Sequence, residues 1–169
     1  MLAHTAVLAF SAATASATNL FVSDYNGVVT SFSLTASNDT YALEEVYQTT
    51  ACAPNPSWLT IDADRGLLFC LNEGLESLNG SLSSFTINSD GSLNHIKNET
   101  TISGPVSGII YGEAAGQRAI ALAHYTGSAV TSWLLQGGGK FVHNQDLPYT
   151  LAQPGPVPAR QDAPHGKIT

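Results

Sequence analysis

The tail of the chain, Ala159-Arg160-Gln161-Asp162-Ala163-Pro164-His165-Gly166-Lys167, brings together residue types that can do chemistry. A histidine moves a proton near neutral pH, and an arginine offers a planar fork to a carboxylate or phosphate; Arg160 equally fits an exposed loop arginine. Upstream, three polar pairs each close a short apolar run: Asp24-Tyr25 after Leu20-Phe21-Val22, Asn72-Glu73 after Leu68-Phe69-Cys70-Leu71, and His124-Tyr125 after Ile120-Ala121-Leu122. Glu73 can serve as a second acid/base group or as a hydrogen-bond partner for substrate hydroxyls; a plain surface or structural role is its other reading. The same holds for Asp24, Asn72 and Tyr125, because turns between strands are polar in any meander.

What must position these residues is a set of short strands. The stretch from Asn55 to Ile87 runs through an apolar segment, an Asp/Gly turn at 62–66, a second apolar segment, a loop and an alternating segment. Apolar runs of four to six residues fenced by Gly, Asn and Asp read as an antiparallel meander. The pattern recurs on both sides, and its aromatic anchors Phe32, Phe85 and Trp133 lie 53 and 48 residues apart (85 − 32 and 133 − 85). Four short strands per unit at that period is a propeller pattern. With strands lettered a to d from the centre of a blade outward, the chain reads b-c-d, a-b-c-d, a-b-c-d, a. The fold expected is therefore all-β, an incomplete β-propeller of about three four-stranded antiparallel blades over 18–50, 55–100 and 104–150, with a fresh inner strand over 164–169 opened by His165. The start of a, the end of b, the start of c and the end of d share one face of such a ring. All the polar residues singled out above fall on that face.

Composition agrees: 43% hydrophobic and 11% charged residues with fifteen glycines and eight prolines describe a turn-rich globular chain. A net charge of −7 argues against nucleic acid and against anionic membrane surfaces, although solubility alone accounts for it. Residues 1–17 are expected to be a signal peptide, since Leu2–Ala17 is apolar and small and ends Ala15-Ser16-Ala17. That stretch is too short for a membrane span. Three sequons, at Asn38, Asn79 and Asn98, fit a secreted, extracellular glycoprotein. Cys52 and Cys70 suit one disulfide in an oxidising compartment, or two partly buried thiols. With 62–66 as the hairpin turn, Cys70 stands opposite about residue 58, so a bridge requires Ala53-Pro54-Asn55 to fold back.

The stretches Asn55-Pro56-Ser57-Trp58-Leu59, Leu68-Phe69-Cys70-Leu71-Asn72-Glu73, Gly80-Ser81-Leu82-Ser83-Ser84-Phe85, His124-Tyr125-Thr126-Gly127-Ser128 and Arg160-Gln161-Asp162-Ala163-Pro164-His165-Gly166 resemble the N-terminal part of the seven-bladed propeller lactonases, the family of 6-phosphogluconolactonase and the fungal 3-carboxymuconate cyclases. The resemblance implies acid/base work for His165, no cofactor, and a small anionic lactone or carboxylate as substrate; by their place on the same face, Arg160 and Glu73 are expected to join His165 as catalytic residues and His124, Tyr125, Asn72 and Lys167 to bind substrate. Many members carry a second histidine where this chain has Lys167, a residue that still attracts an anion. His165-Gly166 is compatible with the cyclase branch, in which histidine protonates carbon as a carboxylate closes the lactone. The strand inventory is itself incomplete, because three blades without closure leave two apolar faces and several strand edges open to water. These residues are therefore expected to be the front half of a longer protein, with the remaining blades of the ring missing and the site incomplete and inactive in this chain; a complete small β protein pairing with another chain is the competing expectation.

No metal site is expected: His95 and His143 fall on outer strands without ligand partners, and no cysteine/histidine cluster has zinc spacing. Gly137-Gly138-Gly139 precedes a strand and reads as a turn. Two functions remain, a secreted lactonase or cycloisomerase and a non-catalytic extracellular propeller-like antigen or binding module.

Overall fold

The computed structural model describes residues 17–37, 40–112 and 116–167. The expected leader lies outside the described residues except for Ala17, which already pairs with Thr35. Among the described residues the strands form three antiparallel sheets in chain order. Blade 1 holds β1 (Ala17–Ser23), β2 (Val29–Ser37) and β3 (Thr40–Thr49). Blade 2 holds β4 (Pro56–Asp62), β5 (Leu67–Asn72), β6 (Gly80–Ile87) and β7 (Leu93–Thr101). Blade 3 holds β8 (Pro105–Tyr111), β9 (Arg118–His124), β10 (Ala129–Leu135) and β11 (Phe141–Pro148).

The repeat extends to the irregularities. The pairing of the last two strands of each blade slips between Ser31 and Phe32, between Ser84 and Phe85, and between Ser132 and Trp133, so each aromatic anchor follows a bulge. A bulge adds local twist and re-aims the next side chain. Pro56 and Pro105 each open an inner strand, the position where a missing N–H costs the ladder least. The tight turn after β4 closes on Gly66 in the left-handed region, φ +60°.

Blade 2 is the core, because both of its faces are covered. All six residues of β5 are buried. By the two-residue alternation of a strand, Leu67, Phe69 and Leu71 join Leu82, Ile120, Leu122, Trp133 and Phe141 against blade 3, while Leu68 and Cys70 join Val29, Cys52, Phe85 and Leu93 against blade 1. A strand buried on both faces reads as one unbroken apolar run, and Leu67-Leu68-Phe69-Cys70-Leu71 is one. Phe141 sits edge-on to both Phe69 and Trp133, at 6.4 and 5.8 Å.

Polar contacts fix how the blades meet. The inner strands β4 and β8 are joined by Ser57 Oγ to the Pro105 carbonyl at 2.7 Å and by Thr60 Oγ1 and Trp58 Nε1 to the Gly108 carbonyl, both at 3.1 Å. At the far end Arg118 forms an ion pair with Asp62, both nearly buried. The connection from blade 1 is tied covalently to blade 2: Cys52, which follows β3, and Cys70 of β5 form a disulfide with Cα atoms 6.0 Å apart. Ala53, at φ +78°, turns the chain so that its N–H reaches the Thr50 carbonyl, which folds the connection after β3 back onto β5.

Of the inner strand expected over 164–169, residues 164–167 carry no strand pairing and 168–169 lie outside the described residues. A strand is assigned by hydrogen bonds to a neighbour, and none of the described strands pairs with this segment. This segment takes its contacts from a turn of blade 3 through side chains instead.

Candidate active site

The ends of β1, β5 and β9 lie on one rim; a relay of backbone hydrogen bonds ties β5 to β9, and side chains join the end of β1, with Asn55 Nδ2 donating to the Tyr25 carbonyl at 3.4 Å. The Glu73 N–H donates to the Asn55 carbonyl at 2.9 Å, the Gly104 N–H to the Glu73 carbonyl at 3.2 Å, and the Tyr125 N–H to the Gly104 carbonyl at 2.7 Å. Gly104 is in the left-handed region at φ +68°, and a Cβ there would lie 2.6 Å from Thr126 Oγ1 and 2.7 Å from the Thr126 backbone nitrogen. Only glycine fits between the two polar pairs.

His165 closes the relay. Its Nδ1 lies 2.9 Å from the Tyr125 carbonyl, its Nε2 lies 3.1 Å from Asp162 Oδ1, and its ring stacks on that of Tyr125 at 4.0 Å and 12°. The segment before it is a series of turns pinned by Gln161, whose backbone carbonyl accepts from Gly155 N–H and whose side-chain oxygen accepts from Val157 N–H. The hydrogen bond to the Tyr125 carbonyl, then the Asp162 carboxylate, raise the His165 pKa above the ordinary histidine value. Asp162 is correspondingly held below the usual carboxylate range by its hydrogen bond to His165.

Glu73 is half-buried on the same rim. The Tyr25 hydroxyl donates to its Oε2 at 2.8 Å, which joins blade 1 to blade 2 and pushes the phenol pKa up, because losing that proton would lose the hydrogen bond. Tyr25 and Asp162 are thus the partners of Glu73 and His165. Asp162 stands three residues before His165, a spacing that has no structural meaning in a coil and so did not single it out.

Two expected substrate contacts are corrected. Asn72 is buried, and both ends of its amide are committed, Oδ1 to the Asn55 N–H at 2.9 Å and Nδ2 to Ser81 Oγ at 3.2 Å. His124 has no exposed surface. Its Nδ1 faces the Ile102 and Ser103 carbonyls at 3.0 and 3.3 Å, and its Nε2 faces Thr131 Oγ1 at 3.0 Å, an oxygen that also accepts from Trp133 Nε1. Since carbonyls only accept, Nδ1 carries the proton and the Thr131 hydroxyl donates to Nε2. Burial holds its pKa below the ordinary value. Both residues build the rim from inside. Tyr125 is 39% exposed. Arg160 and Lys167 are exposed and make no ion pair among the described residues.

A cleft of about 440 Å³ lies elsewhere, between the outer strands of blades 2 and 3. Its charges already satisfy one another, Lys97 with Glu99 at 2.9 Å and His143 with Asp146 at 2.7 Å, so the rim is the better candidate for chemistry. No group of three histidine, cysteine or carboxylate side chains among the described residues is arranged to hold a metal. His95 packs edge-on to Phe85 at 5.3 Å. Of the sequons, Asn79 and Asn98 are exposed, the latter donating to Ser83 Oγ at 2.7 Å, and Asn38 lies outside the described residues. Among the described residues no helix is long and apolar enough to cross a membrane.

Comparison with known proteins gives three similarities. Residues 16–167 match the family described as lactonase, seven-bladed β-propeller. A protein of Arthroderma benhamiae described as a probable 6-phosphogluconolactonase is 32% identical over 110 residues, 65% of this chain and 27% of that protein. A periplasmic gluconolactonase of Pseudomonas aeruginosa shares the fold with a TM-score of 0.57 at 18% identity, over 73% of this chain and 34% of that one. The chain therefore aligns with only about a quarter to a third of the length of these relatives.

Proposed function

Because the chain belongs to the seven-bladed β-propeller lactonase family, we propose that its rim serves the opening of a small anionic lactone, of the 6-phosphogluconolactone type, in a secreted enzyme. The observation that carries this reading is His165, stacked on Tyr125 and held by Asp162 where the relay from Glu73 ends. In this reading His165 handles the proton, and Glu73, held by Tyr25, is the second carboxyl-type acid/base group. Arg160 and Lys167, both exposed, attract the substrate anion. The catalytic unit is a ring to which these three blades contribute one sector, since the fungal relative is matched over 27% of its length. Closure of a muconate, in which a carboxylate oxygen adds to a C=C bond and a histidine delivers the proton to carbon, is a different reaction and the alternative reading for the site. The sequons, the disulfide and the apolar leader support export.

The test is lactone turnover by a full-length form with His165→Ala, assayed on δ-gluconolactone and its 6-phosphate. Loss of a positioned acid/base group lowers the rate by about 10²–10⁴-fold. Undiminished turnover would remove the catalytic role of His165, and absence of turnover in the unsubstituted full-length form would favour the binding module.

A further inference from the structure

Both nitrogens of His165 face atoms that accept. Nδ1 points at a carbonyl oxygen 2.9 Å away and Nε2 at a carboxylate oxygen 3.1 Å away. A neutral imidazole has one N–H and one lone pair, so in either tautomer it sets a lone pair against a lone pair; an imidazolium has two N–H groups and satisfies both. Against these two acceptors stands only the partial burial of the ring, which favours the neutral form and is outweighed by them. Among the described residues the titratable groups touching it are Asp162, from its own segment, and the Tyr125 phenol stacked against it from the turn after β9. The adjoining Gly166 rests on the Ala123 side chain and on the His124 and Ala129 carbonyl oxygens, which are acceptors as well. Lys167, two residues on, is exposed to solvent, which screens its charge.

We propose that His165 rests as an imidazolium held by Asp162 and the Tyr125 carbonyl, and that it meets substrate as a proton donor, with Asp162 as its positioning residue. This rests on the reading of the rim as a lactone site and specifies how that site is charged. The raised pKa of His165 points the same way. The side chain of Asp162 is 67% exposed and that of His165 19%, so the carboxylate is the partner that a substrate displaces. What replaces it at Nε2 must be an acceptor, the ring oxygen of a lactone or an oxygen of its carboxylate or phosphate. In lactone opening, the oxygen of a water forms the new bond to the carbonyl carbon. The ring C–O bond breaks with its electron pair going to the ring oxygen, which takes the Nε2 proton, and the proton shed by the water recharges the imidazole. Nδ1–H stays on the Tyr125 carbonyl throughout and keeps the ring in place.

The experiment is an NMR titration of the histidine Cε1–H signals in the chain as it stands, which has five histidines, with His165→Gln to assign the signal. The expected midpoint for His165 is above the ordinary value of about 6.5. Asp162→Asn is expected to lower it by about half a pH unit, the modest size an exposed partner allows. Asp162→Glu restores most of that shift, and the unchanged signal of buried His124 reports an intact fold in both variants. A midpoint at or below the ordinary value, or one that Asp162→Asn leaves in place, overturns the proposal. A full-length enzyme that loses turnover on His165→Ala while His165 titrates low keeps the lactonase reading and sinks the imidazolium, so the two failures are distinguishable.

Discussion

Opening the disulfide between Cys52 and Cys70 tests how blade 1 is held. The bridge closes a loop with a sequence separation of 18. The loop-entropy relation for that length gives about 3 kcal/mol of stabilisation at 25 °C, from the freedom it removes from the unfolded chain. For a chain of 169 residues, 1 kcal/mol corresponds to about 2–4 °C in Tm, so opening the bridge should lower Tm by roughly 6–12 °C. Both cysteines are fully buried, so reduced wild type is the clean comparison, since it keeps both sulfur atoms in the core. A Cys52→Ala/Cys70→Ala variant adds a further loss from the cavity. The assay is urea and thermal unfolding of oxidised, reduced and variant protein, with limited proteolysis alongside. The blade 1–blade 2 core is smaller than the blade 2–blade 3 core, so proteolysis of the reduced form should begin in residues 17–49. Oxidised and reduced protein unfolding within about 1 kcal/mol of each other would show that noncovalent packing alone fixes blade 1, and the entropic argument would fall.

Two further outcomes follow from the rim. His124 is neutral and buried, with its folded pKa lowered by burial, so the unfolded chain binds more protons in the interval between the lowered value and about 6.5. Its contribution to stability is complete above about pH 6.5 and declines as pH falls toward the lowered value; urea midpoints measured across pH 4–8 should show this slope, and His124→Gln should flatten it. Gly104→Ala places a methyl against Thr126 and forces a left-handed conformation on alanine, at a cost of about 1–3 kcal/mol. It should also shift the amide signals of Glu73 and Tyr125, the two neighbours in the relay, and a variant as stable as wild type would deny glycine its special place there.

The strands could be read because their apolar runs are short, fenced by turn residues and repeated with aromatic anchors. Even the burial of β5 on both faces is written in five consecutive apolar residues. The candidate site was less legible. His124 and Asn72 look like rim residues because they end their strands, yet the alternation that places Ile120 and Leu122 toward blade 2 puts His124 in phase with them, and Asn72 is in phase with Leu68 and Cys70. Counting by twos would have buried both. His165 was found by its type, but its partners Asp162 and the Tyr125 carbonyl come from a coil folded against a turn, where no periodicity operates. The strand expected over 164–169 shows no pairing in its described part, since a strand pattern specifies a surface that can pair and not the neighbour that pairs with it.

The double-sided burial of β5 also bears on how the chain emerges during synthesis. Its first face is covered by partners that precede or lie within blade 2, but the second waits for Phe141, 40 residues after blade 2 ends at Thr101 (141 − 101). At about 5–20 residues per second, Leu67, Phe69 and Leu71 stay uncovered for roughly 2–8 seconds on a nascent chain that already carries a formed sheet. That interval is when a chaperone has something to hold and when two nascent chains have most reason to stick together.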